Sequence, residues 1–266
     1  MKHLMTLCFF FTTLTAMADV VRSPVHSVEK INHQYLIKFQ NGRVGFLPTT
    51  AKSLPNLKGL MVEAKLDKNH SILSFQSVEV APQKLVTELS EPPVYEPTII
   101  ANLSEATKIF NRLNPNYKRA SECFNRAHVW ASEEFKKNNI KSLKVFALFT
   151  ASYIDRVRFK WWFHVAPVLL VQEGNQLEKR VLDFTFSNRP LTVKQWTDQF
   201  VFSKRPCLAT NKFSEYDVNP QTEDCYLMES SMYEWMPTDL QAQELQNRYK
   251  TQFFSSDIRA AYSEAF

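Results

Sequence analysis

The sequence predicts an α+β protein: a helix carrying a cysteine, then strands carrying a histidine and an aspartate, all behind a small β-rich N-terminal domain. Three observations carry this reading. Ser121 suits a helix N-cap, and Phe124, Ala127, Ala131 and Phe135 follow at helical spacing, which puts Cys123 in the first turn. Trp161–Val171 and Arg180–Phe186 read as strands, each with one ionisable residue, His164 and Asp183, inside an apolar run. Residues 19 to about 83 break into short β-type runs separated by turn residues.

Taken from its start, the chain opens with Lys2 and His3, an apolar run from Leu4 to Thr15, and Ala16-Met17-Ala18 before Asp19. That is the pattern of a secretory signal peptide over 1–18, too short for a stable membrane span. The mature chain is therefore expected outside the cytoplasm, secreted or periplasmic, with no membrane partner. The formal charge of +5 falls to +4 without Lys2 and is dispersed, which argues against nucleic acid. With 4 glycines and no phosphate-cradling loop, a nucleotide-binding fold is excluded. His26, His33 and His70 lack metal-ligand spacing and read as surface residues, so neither metal nor other cofactor is expected.

Cysteine usage adds a constraint. Cys8 leaves with the signal, and Cys123, Cys207 and Cys225 remain. An odd count in an oxidising compartment leaves one thiol over. Cys207 and Cys225 lie close together in a polar stretch, and pairing them contributes about 3 kcal/mol through loop closure. Cys123 is then the free thiol.

Within the β-rich domain (19–83), Tyr35–Phe39, the pair Asn41-Gly42 and Arg43–Leu47 form a hairpin signal. Further strands are expected over Gly59–Ala64, Ile72–Phe75 and Gln76–Val80. Residues 84–99, rich in proline and acid, read as a linker open to proteolysis. Beyond it lies a domain over 100–266. Ser104 is expected to cap a helix burying Ile109 and Leu113, and the Cys123 helix should end near Asn138-Asn139. Lys144–Thr150 begins the strands. Thr192–Gln195 and Thr238–Gln241 are capping boxes, the first ahead of Val193, Trp196 and Phe200, the second ahead of Ala242, Leu245, Tyr249 and Phe253.

Cys123, His164 and Asp183 supply a nucleophile, a base and an orienting carboxylate. The first turn of a helix presents unpaired N–H groups and a positive dipole end, which favour an anion there. These residue types alone leave open whether the amide attacked is a peptide bond or a glutamine side chain, and whether water or an amine accepts the acyl group. Trp161, Trp162 and Phe184 flank the set and are candidate substrate-binding residues; Arg126 and His128 read as structural.

Cysteine on a helix followed by His and Asp on successive strands is the order of a papain/transglutaminase-like catalytic domain. The resemblance goes further. Cys123-Phe-Asn-Arg126-Ala127, Lys144-Val-Phe146, Trp162-Phe-His164-Val165-Ala166, Glu178–Asp183, Pro190 and Trp196 together resemble the bacterial protein-glutaminases, over roughly residues 100–236 and more weakly upstream. The resemblance implies a secreted protein-glutamine deamidase with Cys123, His164 and Asp183 as its triad. It also implies protein or peptide substrates with exposed glutamine, a monomer, and an N-terminal region that blocks the site as an intramolecular inhibitor. A cysteine peptidase, a transglutaminase-like acyltransferase and a non-enzymatic periplasmic interaction protein on the same fold are the competing readings.

Overall fold

The computed structural model describes residues 18–49, 57–78, 95–118, 121–218, 223–246 and 257–266. The expected signal segment up to residue 17, residues 84–94 of the expected linker, Tyr249 and Phe253 lie outside the described residues.

Strands β1 (Asp19–Ile31), β2 (Gln34–Phe39), β3 (Val44–Pro48), β4 (Met61–Leu66) and β5 (Ile72–Ser77) form one sheet in the order β3-β2-β1-β4-β5. All neighbours are antiparallel. Alternation along β4 buries Val62, Ala64 and Leu66, which meet Val25, Ile37, Phe39 and Leu57 in a small core. The hairpin expected at Asn41-Gly42 is present. Gly42 N donates to Phe39 O at 2.9 Å, and Phe39 N donates to Arg43 O at 2.9 Å. Gly42 sits at φ +87°, where a side chain is costly.

The remaining elements are β6 (Ile99–Ile100), α1 (Leu103–Arg112), α2 (Cys123–Asn138), β7 (Leu143–Phe149), α3 (Ala151–Val157), β8 (Phe163–Glu173), β9 (Gln176–Val181), β10 (Leu191–Thr192), α4 (Val193–Thr197), β11 (Leu208–Thr210), α5 (Phe213–Val218), β12 (Cys225–Ser231), α6 (Pro237–Gln246) and α7 (Asp257–Ala265). Their strands form a second sheet, β10-β9-β8-β7-β12-β11, with β6 added parallel to β8. The central strands β7 and β8 are almost continuously apolar because both of their faces are covered. Helix α2 packs against β8 and α7. The chain is a mixed α+β protein, as the sequence predicts.

Helix starts differ from expectation by one or two residues, each for a visible reason. Asn102 caps α1 in place of Ser104, its Oδ1 accepting from Glu105 N at 2.9 Å. Glu122 occupies the cap position of α2, while the Ser121 hydroxyl is engaged by Arg126 at 2.9 Å. Asp239 accepts from Trp235 N and Met236 N, at 2.8 and 3.0 Å, so α6 begins before Thr238. The Thr192–Gln195 capping box forms as expected, and Asn139, at φ 54°, closes α2.

The two sheets share a core. Leu36, Val44 and Phe46 belong to the same cluster as Phe146, Trp162 and Phe163. Trp162 is fully buried between the halves; its Nε1 donates to Phe39 O at 2.6 Å and its ring stacks on His26 at 4.3 Å. His26 is therefore not the surface residue expected, and burial, with the charges of Lys38 and Lys58, pushes its pKa down to about 3. Lys38, also buried, donates to Tyr216 Oη at 3.1 Å and pairs with Glu29 at 2.5 Å. Cys207 and Cys225 are disulfide-bonded, and Cys123 is free.

Candidate active site

Cys123 is the first residue of α2, half-buried, with its backbone N–H at the unpaired end of the helix. His164 is the second residue of β8 and is buried beneath a ring of aromatics. The Trp161 ring stacks on it at 5.9 Å, and Phe186, Trp196 and Phe200 close the other sides at 5.2–5.5 Å.

His164 Nε2 lies 2.6 Å from Asp183 Oδ2. The other ring nitrogen, Nδ1, is buried and makes no hydrogen bond of normal geometry, while the Cys123 thiol is close enough to act on the ring. Burial alone lowers the His164 pKa, but Asp183 and then Cys123 outweigh it and carry the imidazole to about 9. At neutral pH the ring is an imidazolium, able to give a proton.

Asp183 was expected inside a strand; β9 stops at Val181. Asp183 instead starts a turn of its own: Oδ1 accepts from Thr185 N at 2.9 Å, and its carbonyl accepts from Phe186 N and Ser187 N. Oδ2 also accepts from Trp196 Nε1 at 2.9 Å. Burial raises the carboxyl's pKa, and the His164 charge with these donors more than offsets it, so Asp183 stays ionised below the usual carboxylate range.

Cys123 and His164 border a cavity of about 470 Å³, lined on the same side by Glu122, Arg126, Trp161 and Phe163. The other wall comes from the N-terminal sheet: Asp19, Val20, Val21 and the hairpin tip Asn41, Gly42 and Arg43. Backbone bonds hold the tip in place, with Trp162 N donating to Gly42 O at 2.9 Å and Val44 N to Lys160 O at 3.3 Å. Arg43 forms an ion pair with Asp19.

Of the three aromatics expected to bind substrate, Trp161 lines the cavity. Trp162 points into the shared core, and Phe184 packs on Phe110 and Trp130 at 4.4 and 5.8 Å, in the cluster around α1. Arg126, read as structural, reaches the cavity and also ties its walls. It donates to the Ser121 carbonyl beside Cys123 and to Thr185 Oγ1, at 3.2 Å, in the Asp183 turn. His128 lies behind, against the buried Lys144 at 2.8 Å. Among the described residues no His/Cys/Asp/Glu group has the make-up of a metal site, and no helix is long and apolar enough to cross a membrane. The lining residues Asp19, Asn41 and Arg43 left no trace in the sequence around Cys123, because only long-range docking brings them there. Glu122 was missed although it adjoins Cys123.

Residues 100–200 match the glutaminase family. A crystal structure of a mutant of pro-protein-glutaminase is 13% identical, over 92% of this chain and 98% of that one, with a TM-score of 0.53. A crystal structure of pro-protein-glutaminase is 12% identical over 91% and 98%, with a TM-score of 0.48. The NMR structure of protein-glutaminase from Chryseobacterium proteolyticum is 15% identical over 52% and 75%, with a TM-score of 0.34. No curated protein matches. The first structure shows the fold, and the family match bears out the resemblance read from the sequence.

Proposed function

We propose, taking the likeness to the protein-glutaminases as the premise, that this chain is an exported protein-glutamine deamidase. It hydrolyses the side-chain amide of protein-bound glutamine to glutamate and ammonia. The observation that supports this best is the 2.6 Å contact of Asp183 with His164, which lines one cavity with Cys123 at a helix start. Cys123 Sγ, as thiolate, bonds to the carboxamide carbon. The C–N bond breaks, and His164 passes its proton to the nitrogen, which leaves as ammonia. A water then adds to the thioester as His164 takes its proton, the C–S bond breaks, and glutamate and Cys123 are restored. Asp183 fixes the ring's orientation and stabilises its charged form. The Cys123 backbone N–H is a donor for the oxyanion.

On this reading the 19–83 domain is an inhibitory pro-region. The hairpin tip Asn41–Arg43 walls off the cavity that a substrate must enter, and a tethered inhibitor works at about millimolar effective concentration without high intrinsic affinity. Cutting the chain between Pro82 and Pro97 lets the two parts separate.

Casein incubated with the chain, before and after that cut, tests both statements. The cut wild type should release ammonia and leave casein chains intact, and Cys123→Ala should release none. Casein fragments would favour a peptidase and amine incorporation a crosslinker. Unchanged function in Cys123→Ala would favour a binding protein. Equal ammonia release by cut and uncut chains would remove the inhibitor reading.

A further inference from the structure

Glu122 is a cavity side chain that this chemistry leaves without a role. It stands at the N-cap of α2, yet its carboxyl makes no capping bond. It lines the cavity beside Cys123 and His164 instead. Burial and the charge of Glu264 hold its pKa up to about 7, against Arg43, Asn41 and Arg126, which pull it down.

Asn41 lines the opposite wall of the same cavity, at the hairpin tip, near enough to draw the Glu122 pKa down. Asn41 is a primary carboxamide. Its Oδ1 already accepts from Arg43 N at 3.2 Å, and its backbone N–H is held by Ser23 Oγ at 3.1 Å. Its NH₂ is the donor left for Glu122, since a carboxylate only accepts. In the covered form, then, the residue next to the cysteine faces a carboxamide across the cavity.

We infer that Glu122 is a specificity residue: once the N-terminal domain departs, its carboxylate accepts from the NH₂ of the substrate glutamine, where Asn41 now sits. This rests on the deamidase reading and adds the reason a primary amide is chosen. A peptide nitrogen carries one hydrogen and a carbon where Glu122 would stand, and an ester oxygen carries no hydrogen. As the C–N bond breaks and the nitrogen gains the His164 proton, the carboxylate also faces growing positive charge, so the contact strengthens towards the transition state.

The test uses the full-length chain nicked between Pro82 and Pro97, with two peptides. One carries glutamine; the other carries glutamate γ-methyl ester at the same position. Both form the Cys123 thioester, losing ammonia or methanol. Glu122→Ala should lower kcat/KM for the glutamine peptide by about 10- to 100-fold, as for a lost hydrogen bond to a charged group, and leave the ester within about threefold. Glu122→Gln keeps an acceptor oxygen and should recover part of the loss; thermal melts check that both variants fold. Equal losses on the two peptides, or no loss on glutamine, would overturn the specificity role and leave the deamidase reading intact. A wild type that releases neither product, or a Cys123→Ala variant that releases both, would sink the deamidase reading and this role together.

Discussion

Gly42→Ala should open the covered site without any cut. Gly42 lies at φ +87°, where an alanine costs about 1–2 kcal/mol. Its new Cβ would stand 3.0 Å from Phe163 Cε1, with two further ring atoms at 3.4 and 3.5 Å. Phe163 is wedged by Phe124, Phe146 and Trp162, at 6.0, 6.4 and 4.9 Å between ring centroids. The ring has little room to give, so the hairpin backs away and strains the Trp162 N–Gly42 O bond, a further cost of about 1 kcal/mol. The φ cost falls on open and closed forms alike, since the turn stays folded in both. The crowding of Phe163 and the strained bond fall on the closed form alone, about 1–3 kcal/mol, so the open fraction rises by about 5- to 150-fold while it remains minor. Ammonia release from casein by the uncut variant should rise by that factor, capped by the rate of the cut enzyme. The cut wild type and cut variant should match. An uncut variant that melts at lower temperature yet releases no more ammonia than uncut wild type would refute the argument, since the strain would then be present and the site still closed.

Three further outcomes follow from the same geometry. Asp183→Asn removes the anion that orients and charges His164, and should lower kcat for ammonia release by about 10²-fold or more, measured on cut enzyme. Because His164 is held near 9 against an ordinary 6.5, its charged form stabilises the fold fully below about pH 6.5, and that share drains as pH rises through 9. Asp183, held low, contributes above its ordinary 3.8 and loses its share as pH falls. Urea midpoints should drop between pH 6.5 and 9.5, and a His164→Ala chain with the same drop would contradict this. Replacing Cys207 and Cys225 by alanine opens a loop of sequence separation 18 and should cost about 3 kcal/mol in urea unfolding; a change under about 1 kcal/mol would contradict it.

Local chemistry made much of this legible in advance. Asn41-Gly42 turns the chain, Thr192 and Gln195 cap each other, and Cys207 pairs with Cys225 because each pattern needs only neighbouring or nearby residues. The spacing of Cys123, His164 and Asp183, with the blocks around them, pointed to the family that residues 100–200 match. What stayed hidden depends on distant partners. His26 reads as polar surface until Trp162 stacks on it, and Phe184 reads as a site flank until α1 supplies Phe110. Asp183 leaves the strand pattern because its carboxylate accepts from the backbone N–H of Thr185, two residues on, a competition that periodicity does not register. Glu122 has no sequence signature at all; its interest comes from the wall that faces it.

The core shared by the two sheets bears on the order of events in the life of the chain. Leu36, Val44 and Phe46 fill space beside Trp162 and Phe163, and Lys38 reaches Tyr216 inside the disulfide loop. The N-terminal strands leave the ribosome first and carry the apolar side chains that meet the strands made after them. A cut made after folding parts two surfaces that have already set, whereas a cut made before it would leave Trp162 and Phe163 to find their places in water. Because the two sheets share that core, a denatured cut chain should regain its fold less readily than an intact one.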